Sequence, residues 1–323
     1  VNDGGKAGTD PAAPVVTADA AGTWQLGGLV VNRLGFGAMR LTQRGPAFGA
    51  DAAPSDRAQA IAVLRRAVQL GVNHIDTAAF YFSALRSANE LINSALAPYP
   101  DDLVIVSKVG PGRGPSGEWT DAARPDQLRS QVEENLRQLG RDHLDVVNLR
   151  RMPSMGPSIA EHFGALADLR DTGLIRYLGV SGVTPVDLAD ARAIAPVACV
   201  QNAFGFGRSN DPLLQICGQE GIAFVPFFAI AGSGRHRGPD NTVADNTVAD
   251  NTVADNTVAD RLLAIAQAHD ATPAQVRLAW TLHQGQHVLA IPGTGDPAHL
   301  AHNVAAAGLR LSPAELSELD ALA

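Results

Sequence analysis

The chain reads as an α/β protein whose repeating strand–helix units close into a (β/α)8 barrel. Eight short apolar runs recur along the 323 residues, and amphipathic helical stretches separate them. With 46% hydrophobic and 18% charged residues, the composition supplies ample material for one large core. Strands separated by helices run parallel, with right-handed crossovers. Eight such units match the TIM barrel. A doubly wound open sheet is the competing arrangement, but no dinucleotide fingerprint opens the first unit.

Taken in order, residues 1–22 are rich in Gly, Ala, Pro and Asp, which predicts a disordered tail. They have neither the basic start nor the apolar core of a secretory signal. TWQLGGLVVN, residues 23–32, alternates around Gly27-Gly28 and predicts a short hairpin at the head of a barrel domain spanning 23–323. The strand runs are NRLGFGAM (32–39), VNHID (72–76), LVIVSK (103–108), LDVVNL (144–149), IRYLGVS (175–181), ACVQN (198–202), IAFVPF (222–227) and VLAIPG (288–293). Between them, residues 56–70 place Ile61, Leu64 and Val68 on one helix face, with Ser55 as cap and Gly71 as stop. Residues 125–139 put Pro125 in a first turn and Leu128, Val132, Leu136 and Leu139 on one side. One segment breaks the pattern: residues 241–260 are four copies of NTVAD. A period of five suits neither helix nor strand, and Asn, Thr, Val and Asp are mediocre helix formers. The repeat therefore reads as a tandem duplication in a surface loop after the seventh strand.

A net charge of −8 argues against a nucleic-acid binder, which would present a basic face. No apolar run approaches the ~18 residues of a membrane span. Cys199 and Cys217 lie in apolar segments without metal-ligand spacing and read as buried free thiols of a reducing compartment. The expectation is a cytoplasmic protein without a metal. GRGPSG, residues 112–117, matches G-x-G-x-x-G, but no helix opens after it to receive a pyrophosphate; it reads as a loop that with Trp119 could line a substrate pocket. His283 and His287 have i,i+4 spacing without the HExxH glutamate, and read as surface histidines.

The active site of such a barrel lies at the C-terminal strand ends. Those ends are Gly37, Asp76, Lys108, Arg150, Ser181, Gln201, Phe227 and Pro292, far more polar than the strand interiors. LDVVNLRRM, residues 144–152, runs from a buried strand straight into two arginines, which is costly unless the charges are paired or used. Asp76 and Lys108, on adjacent strands, are placed to pair across the barrel mouth. Tyr81 follows five residues after Asp76. A lysine cation beside a phenol lowers its pKa from the usual ~10, and Asp76 would hold that lysine in place. The three together make a proton donor for a carbonyl oxygen.

HIDTAAFY (74–81), IVSKVG (105–110), LDVVNLR (144–150), LGVSG (178–182), CVQN (199–202) and IPGTGDPAHLAHN (291–303) together resemble the aldo-keto reductase superfamily, in its order and near its spacing. Through VVNLR, SGVTP, VPFF and IPGT the chain looks most like that superfamily's bacterial pyridoxal reductase-like branch. The resemblance implies NAD(P)H-dependent reduction of an aldehyde or ketone, with pyridoxal as a candidate substrate. It gives Asp76, Tyr81 and Lys108 catalytic roles, with Tyr81 as the general acid. It places Arg150 where most members carry histidine. A guanidinium polarises a carbonyl but does not shuttle a proton. The cofactor implied is NADPH, with NADH as the alternative, held across the barrel mouth by Gly37, Ala38, Met39, Ser181, Gln201, Phe227, Ile291, Gly293, Thr294 and Asn303. Ser181 and Gln201 would take the carboxamide and Phe227 would stack on the nicotinamide. Gly182 replaces the usual asparagine, and Ala301 stands where arginine commonly binds the adenosine phosphate. The rival reading is a cofactor-binding regulatory subunit with little turnover; a lyase or isomerase lacks the metal cluster or phosphate loop it needs.

Overall fold

The computed structural model describes residues 15–44, 48, 52–114, 117–206, 208–230 and 252–323, and side chains in the last range from residue 257. Seven parallel strands follow one another in chain order around a curled sheet: β1 (Phe36–Gly37), β2 (His74–Asp76), β3 (Val104–Val109), β4 (Leu144–Arg150), β5 (Ile175–Ser181), β6 (Val197–Gln201) and β7 (Ala223–Phe224). The eighth apolar run closes the ring through single parallel bridges, Val288 to Phe224 and Ala290 to Leu34. Backbone bonds hold that seam, with Leu289 N–H donating to Phe224 O at 2.9 Å and Gly35 N–H to Ala290 O at 2.8 Å. The buried Arg33 side chain ties the lower end of the same seam to the carbonyls of Ala21, Leu282, Gly285 and Val288. The predicted TIM barrel is thus the observed one.

The helices wrap the outside. The cap of α1 (Arg57–Gln69) lies one residue later than predicted: Asp56, not Ser55, accepts from Gln59 N–H at 2.7 Å, while Ser55 donates to Leu41 O. α2 (Ala88–Leu96) follows β2, and α3 (Pro125–Leu139) has the predicted bounds, ended by Gly140 in the left-handed region. α4 (Ala160–Asp171), α5 (Pro185–Ile194) and α6 (Pro212–Glu220) complete the next three units. α7 (Thr252–Ala268) and α8 (Pro273–His283) precede the eighth strand position, and α9 (Pro297–Ala305) and α10 (Pro313–Leu322) follow it. Among the described residues no helix is long and apolar enough to cross a membrane.

Two sequence expectations change. Residues 1–14 of the supposed tail lie outside the described residues, but Ala18–Ala21 form a 3-10 turn whose Ala18 is fully buried and donates its N–H to Leu70 O at 2.8 Å. The fold therefore includes residues before Trp24. In the NTVAD repeat, 241–251 lie outside the described residues, whereas 252–260 form the first turns of α7 rather than a loop. Nucleation is the costly step in helix formation. Leu262, Ile265 and Ala266 bury the later part of α7, so mediocre formers extend an existing helix at a few tenths of a kcal/mol each.

The strands alternate between two cores. Val104, Val106, Val146, Cys199, Ala223 and Leu289 fill the barrel interior together with Leu26 and Val31 of the predicted hairpin, Thr23–Leu26 paired with Leu29–Asn32. The hairpin thus stoppers the lower end and leaves the C-terminal mouth as the open one. Ile105, Val147, Leu149 and Val200 face the helices instead.

His74, at the start of β2, is buried, and that burial lowers its pKa to about 4 from 6.5. The unfolded chain therefore binds a proton between pH 6.5 and about 4 that the folded chain refuses, so stability falls as pH drops through that window. At 1.36 kcal/mol per unit the loss approaches about 3 kcal/mol by the lower limit. The urea midpoint should fall more steeply from pH 7 to pH 4 in the wild type than in His74→Gln; equal slopes would clear His74 of the effect.

Candidate active site

The inner face of each strand turns polar toward the mouth, and a period of two explains why. On β4, Val146, Asn148 and Arg150 share one face: the first fills the core, the last reaches the rim. On β3 the same file runs Val104, Val106, Lys108, and on β6 it runs Cys199, Gln201. Register sets these side by side, with Asp76 opposite Val106, Asn148 opposite Lys108, Arg150 opposite Ser181 and Ser181 opposite Gln201. The two arginines after the apolar run have separate uses. Arg150 enters the mouth. Arg151 turns away to the buried Asp187 carboxylate at 2.9 Å, which also caps α5 through Thr184 N–H. Arg151 therefore does not simply leave the core for water.

Asp76 and Lys108 form a buried pair, Nζ to Oδ1 at 2.5 Å, and the ammonium also donates to Thr77 O at 3.2 Å. The second Asp76 oxygen accepts from Gln201 Nε2 at 2.7 Å. Burial pulls the Lys108 pKa down, but Asp76 and Tyr81 pull harder the other way, and the net shift is upward. Lys108 stays an ammonium. Its Nζ lies 5.0 Å from the centroid of the buried Tyr81 ring.

Tyr81 departs from the expected direction. Burial raises its pKa, Lys108 lowers it and Asp76 raises it again, for a net rise above the ordinary value of 10.0. Lys108 does favour the phenolate, as its charge requires, but burial outweighs it. The phenol is consequently protonated throughout the neutral range, the form a proton donor needs.

A second group gathers across the mouth. The half-buried Arg150 guanidinium carbon sits 5.7 Å from the Phe227 ring centroid and above Gly182. Ser181 is buried beside them, and Gln201 Oε1 is buried with no hydrogen-bond partner among the described residues. A third group lies at the β1 end. A Cβ at Gly37 would come within 2.7 Å of Ile291 O, and one at Gly293 would strike Gly37 O, so two bare backbones meet there. Ala38 and Met39 begin the 3-10 turn that follows β1, Ala38 buried and Met39 half-buried. Thr294 and Asn303 are both buried. Thr294 Oγ1 accepts from Asp296 N–H at 3.0 Å, and Asp296 in turn caps α9 through Ala298 and His299 N–H. That cap puts a carboxylate on the helix end that a phosphate would otherwise use.

Sequence reasoning found only part of the wall around Tyr81. Phe80 lies 5.2 Å and Phe48 5.9 Å from its ring centroid, and Trp119 packs on both, at 5.7 Å and 4.9 Å. Arg113 is stacked on Phe82 at 4.6 Å and Phe48 at 4.9 Å. Trp119 is expected at the pocket and Phe80 is in view next to Tyr81; Phe48 comes from a separate loop with no shared period. Pro111–Arg113 and Trp119–Asp121 pair as an antiparallel hairpin, so the G-x-G-x-x-G match opens no helix; residues 115 and 116 lie outside the described residues. His283 and His287 bond to Ala279 O and Leu214 O, both at 2.8 Å, and His287 is buried rather than on the surface. Among the described residues no cluster of metal-ligating side chains occurs, and both cysteines are buried free thiols.

Comparison with known proteins agrees with this geometry. The model of the Aldo/keto reductase family matches residues 33–323. The chain is 42% identical over 309 residues to pyridoxine 4-dehydrogenase of Escherichia coli, covering 94% of this chain and 99% of that one. It is 36% identical to an uncharacterized oxidoreductase of Schizosaccharomyces pombe, over 96% and 92% of the two chains. Among solved structures, an aldo/keto reductase from Klebsiella pneumoniae in complex with NADP and acetate aligns with a TM-score of 0.69 at 26% identity, covering 91% of this chain and 92% of that one. Glycerol dehydrogenase from Gluconobacter oxydans has the same fold, with a TM-score of 0.77 at 21% identity over 94% and 95% of the chains. A match over nearly the whole barrel, with relatives well above 30% identity, makes this chain a member of the aldo/keto reductase family.

Proposed function

We propose that the protein reduces a small aldehyde or ketone to an alcohol, with Tyr81 as the proton donor and NADPH as the hydride source. The observation that carries this reading is the buried stack of Asp76, Lys108 and Tyr81, with the ion pair at 2.5 Å and the ammonium 5.0 Å from the phenol ring.

The side chains suit a nicotinamide cofactor. Gln201 Oε1 is a buried acceptor without a protein partner among the described residues, and Gly37 and Gly293 leave bare backbone where an extended ligand would cross. When bound, the cofactor supplies a hydride to the carbonyl carbon. Tyr81 gives its phenolic proton to the carbonyl oxygen as negative charge builds there. Lys108 stabilises the phenolate left behind, and Asp76 holds Lys108 in place. Arg150 offers N–H donors to the same oxygen. NADH is the alternative donor, since Ala301 and the Asp296 cap provide no obvious clamp for a 2′-phosphate.

Pyridoxal is the substrate this reading favours. The Escherichia coli relative is a pyridoxine 4-dehydrogenase by name, and Phe48, Phe80 and Trp119 offer aromatic faces to a flat ring beside Tyr81. The test is oxidation of NADPH, or of NADH, by purified protein offered pyridoxal and a panel of simple aldehydes. Turnover with pyridoxal above the panel is the expected result. Cofactor binding without turnover of any carbonyl would replace the enzyme by the regulatory reading.

A further inference from the structure

A nicotinamide carboxamide presents one donor group and one acceptor. Its NH2 needs an acceptor, and its oxygen needs N–H or O–H donors. In Gln201 the amide nitrogen is spent on Asp76 at 2.7 Å, which leaves the buried Oε1 as an acceptor with no partner among the described residues. Gln201 is therefore matched to the NH2 end. Ser181, the register neighbour of both Gln201 and Arg150, can donate to the oxygen end. The next residue, Gly182, has no side chain at all.

Gly182 is not simply empty space. Its φ is +66°, and a Cβ built there would stand 2.5 Å from Arg150 Cζ and 3.2 Å from Arg150 Nε. The Arg150 guanidinium occupies the volume that a side chain at 182 would fill. It lies alongside Ser181 and 5.7 Å from the Phe227 ring centroid. A residue from β4 thus brings N–H donors to the place where β5 lacks one.

We infer that Arg150 and Gly182 work as one unit: the Arg150 guanidinium, lodged over Gly182, donates to the carboxamide oxygen of the bound nicotinamide and so sets the orientation of the ring. The inference rests on the reductase reading for the identity of the ligand and adds a second contact to Arg150. With five N–H groups, a guanidinium serves the carboxamide on one edge and the substrate oxygen on the other. A side chain at 182 and this placement of Arg150 exclude each other.

The experiment is a binding titration without carbonyl substrate, using NADP+ and 2′-phospho-ADP-ribose, which lacks the nicotinamide. Arg150→Ala should weaken NADP+ by about tenfold or more, as expected for losing a charged hydrogen bond, and leave 2′-phospho-ADP-ribose unchanged. Gly182→Asn, a residue tolerant of positive φ, should recover NADP+ affinity in the Arg150→Ala background and lower it in the wild type, where two side chains would compete for one space. If Gly182→Asn does not fold, Arg150→Ala and Arg150→Lys compared across the two ligands decide alone. Equal losses for both ligands would reduce Arg150 to a general positive charge and overturn the inference. Unchanged NADP+ affinity with reduced turnover would confine Arg150 to the substrate and also overturn it. Wild-type protein that binds NADP+ but turns over no carbonyl would remove the reductase reading alone; wild-type protein that binds neither NADP+ nor NAD+ would remove both.

Discussion

Tyr81→Phe is expected to lower carbonyl-dependent turnover by ~10²–10⁴-fold, the range for losing a positioned acid, while the barrel and its cofactor affinity persist. The substitution removes one oxygen and keeps the ring. That ring packs on Phe80 at 5.2 Å and Phe48 at 5.9 Å, contacts the variant retains. Lys108 keeps Asp76 and Thr77 O as partners, so no charge is orphaned. The pH profile gives an independent check. Because burial raises the Tyr81 pKa more than Lys108 lowers it, the acid form persists to higher pH than in a free tyrosine. Reductive kcat should then be flat through neutrality and decline only in alkali. A Tyr81→Phe variant with wild-type kcat, or a kcat that collapses between pH 6 and 8, would assign the proton to another group.

That direction could not be read from the sequence. Spacing placed Lys108 beside Tyr81, and charge alone argues for a lowered phenol pKa. What opposes it is burial against Phe48 and Phe80, with Trp119 packed on both, side chains that converge from three separate loops. Strand identity was legible for a plainer reason. Inward residues alternate with helix-facing ones along β3 and β4, so apolar runs ending in Lys108 and Arg150 mark both the strand and its end at the barrel mouth. Closure of the barrel was legible as a count of eight units, but not the means. The eighth stave consists of isolated bridges tied by the Arg33 guanidinium, a long-range arrangement with no local pattern. The changes at residues 18–21 and 252–260 share one cause: neighbours buried in the tertiary structure override weak local propensity.

Lys108→Met should cost both stability and activity, and the double variant Asp76→Asn/Lys108→Met should separate the two. Removing the ammonium leaves the Asp76 carboxylate buried, with Gln201 Nε2 at 2.7 Å as its remaining side-chain partner among the described residues. Breaking a buried pair on one side typically costs about 3–5 kcal/mol, because the surviving charge is uncompensated. Neutralising Asp76 in the same background removes that charge, so most of the urea-unfolding stability should return. Turnover should not return, because no cation remains beside Tyr81 to stabilise the phenolate formed when the proton leaves. If the pair were merely structural, activity would track stability across the single and double variants. If it tunes the acid, the double variant is folded and inactive. Equal unfolding midpoints for Lys108→Met and the double variant would mean that the 2.5 Å contact couples the two charges weakly, and the tuning role would fall with it.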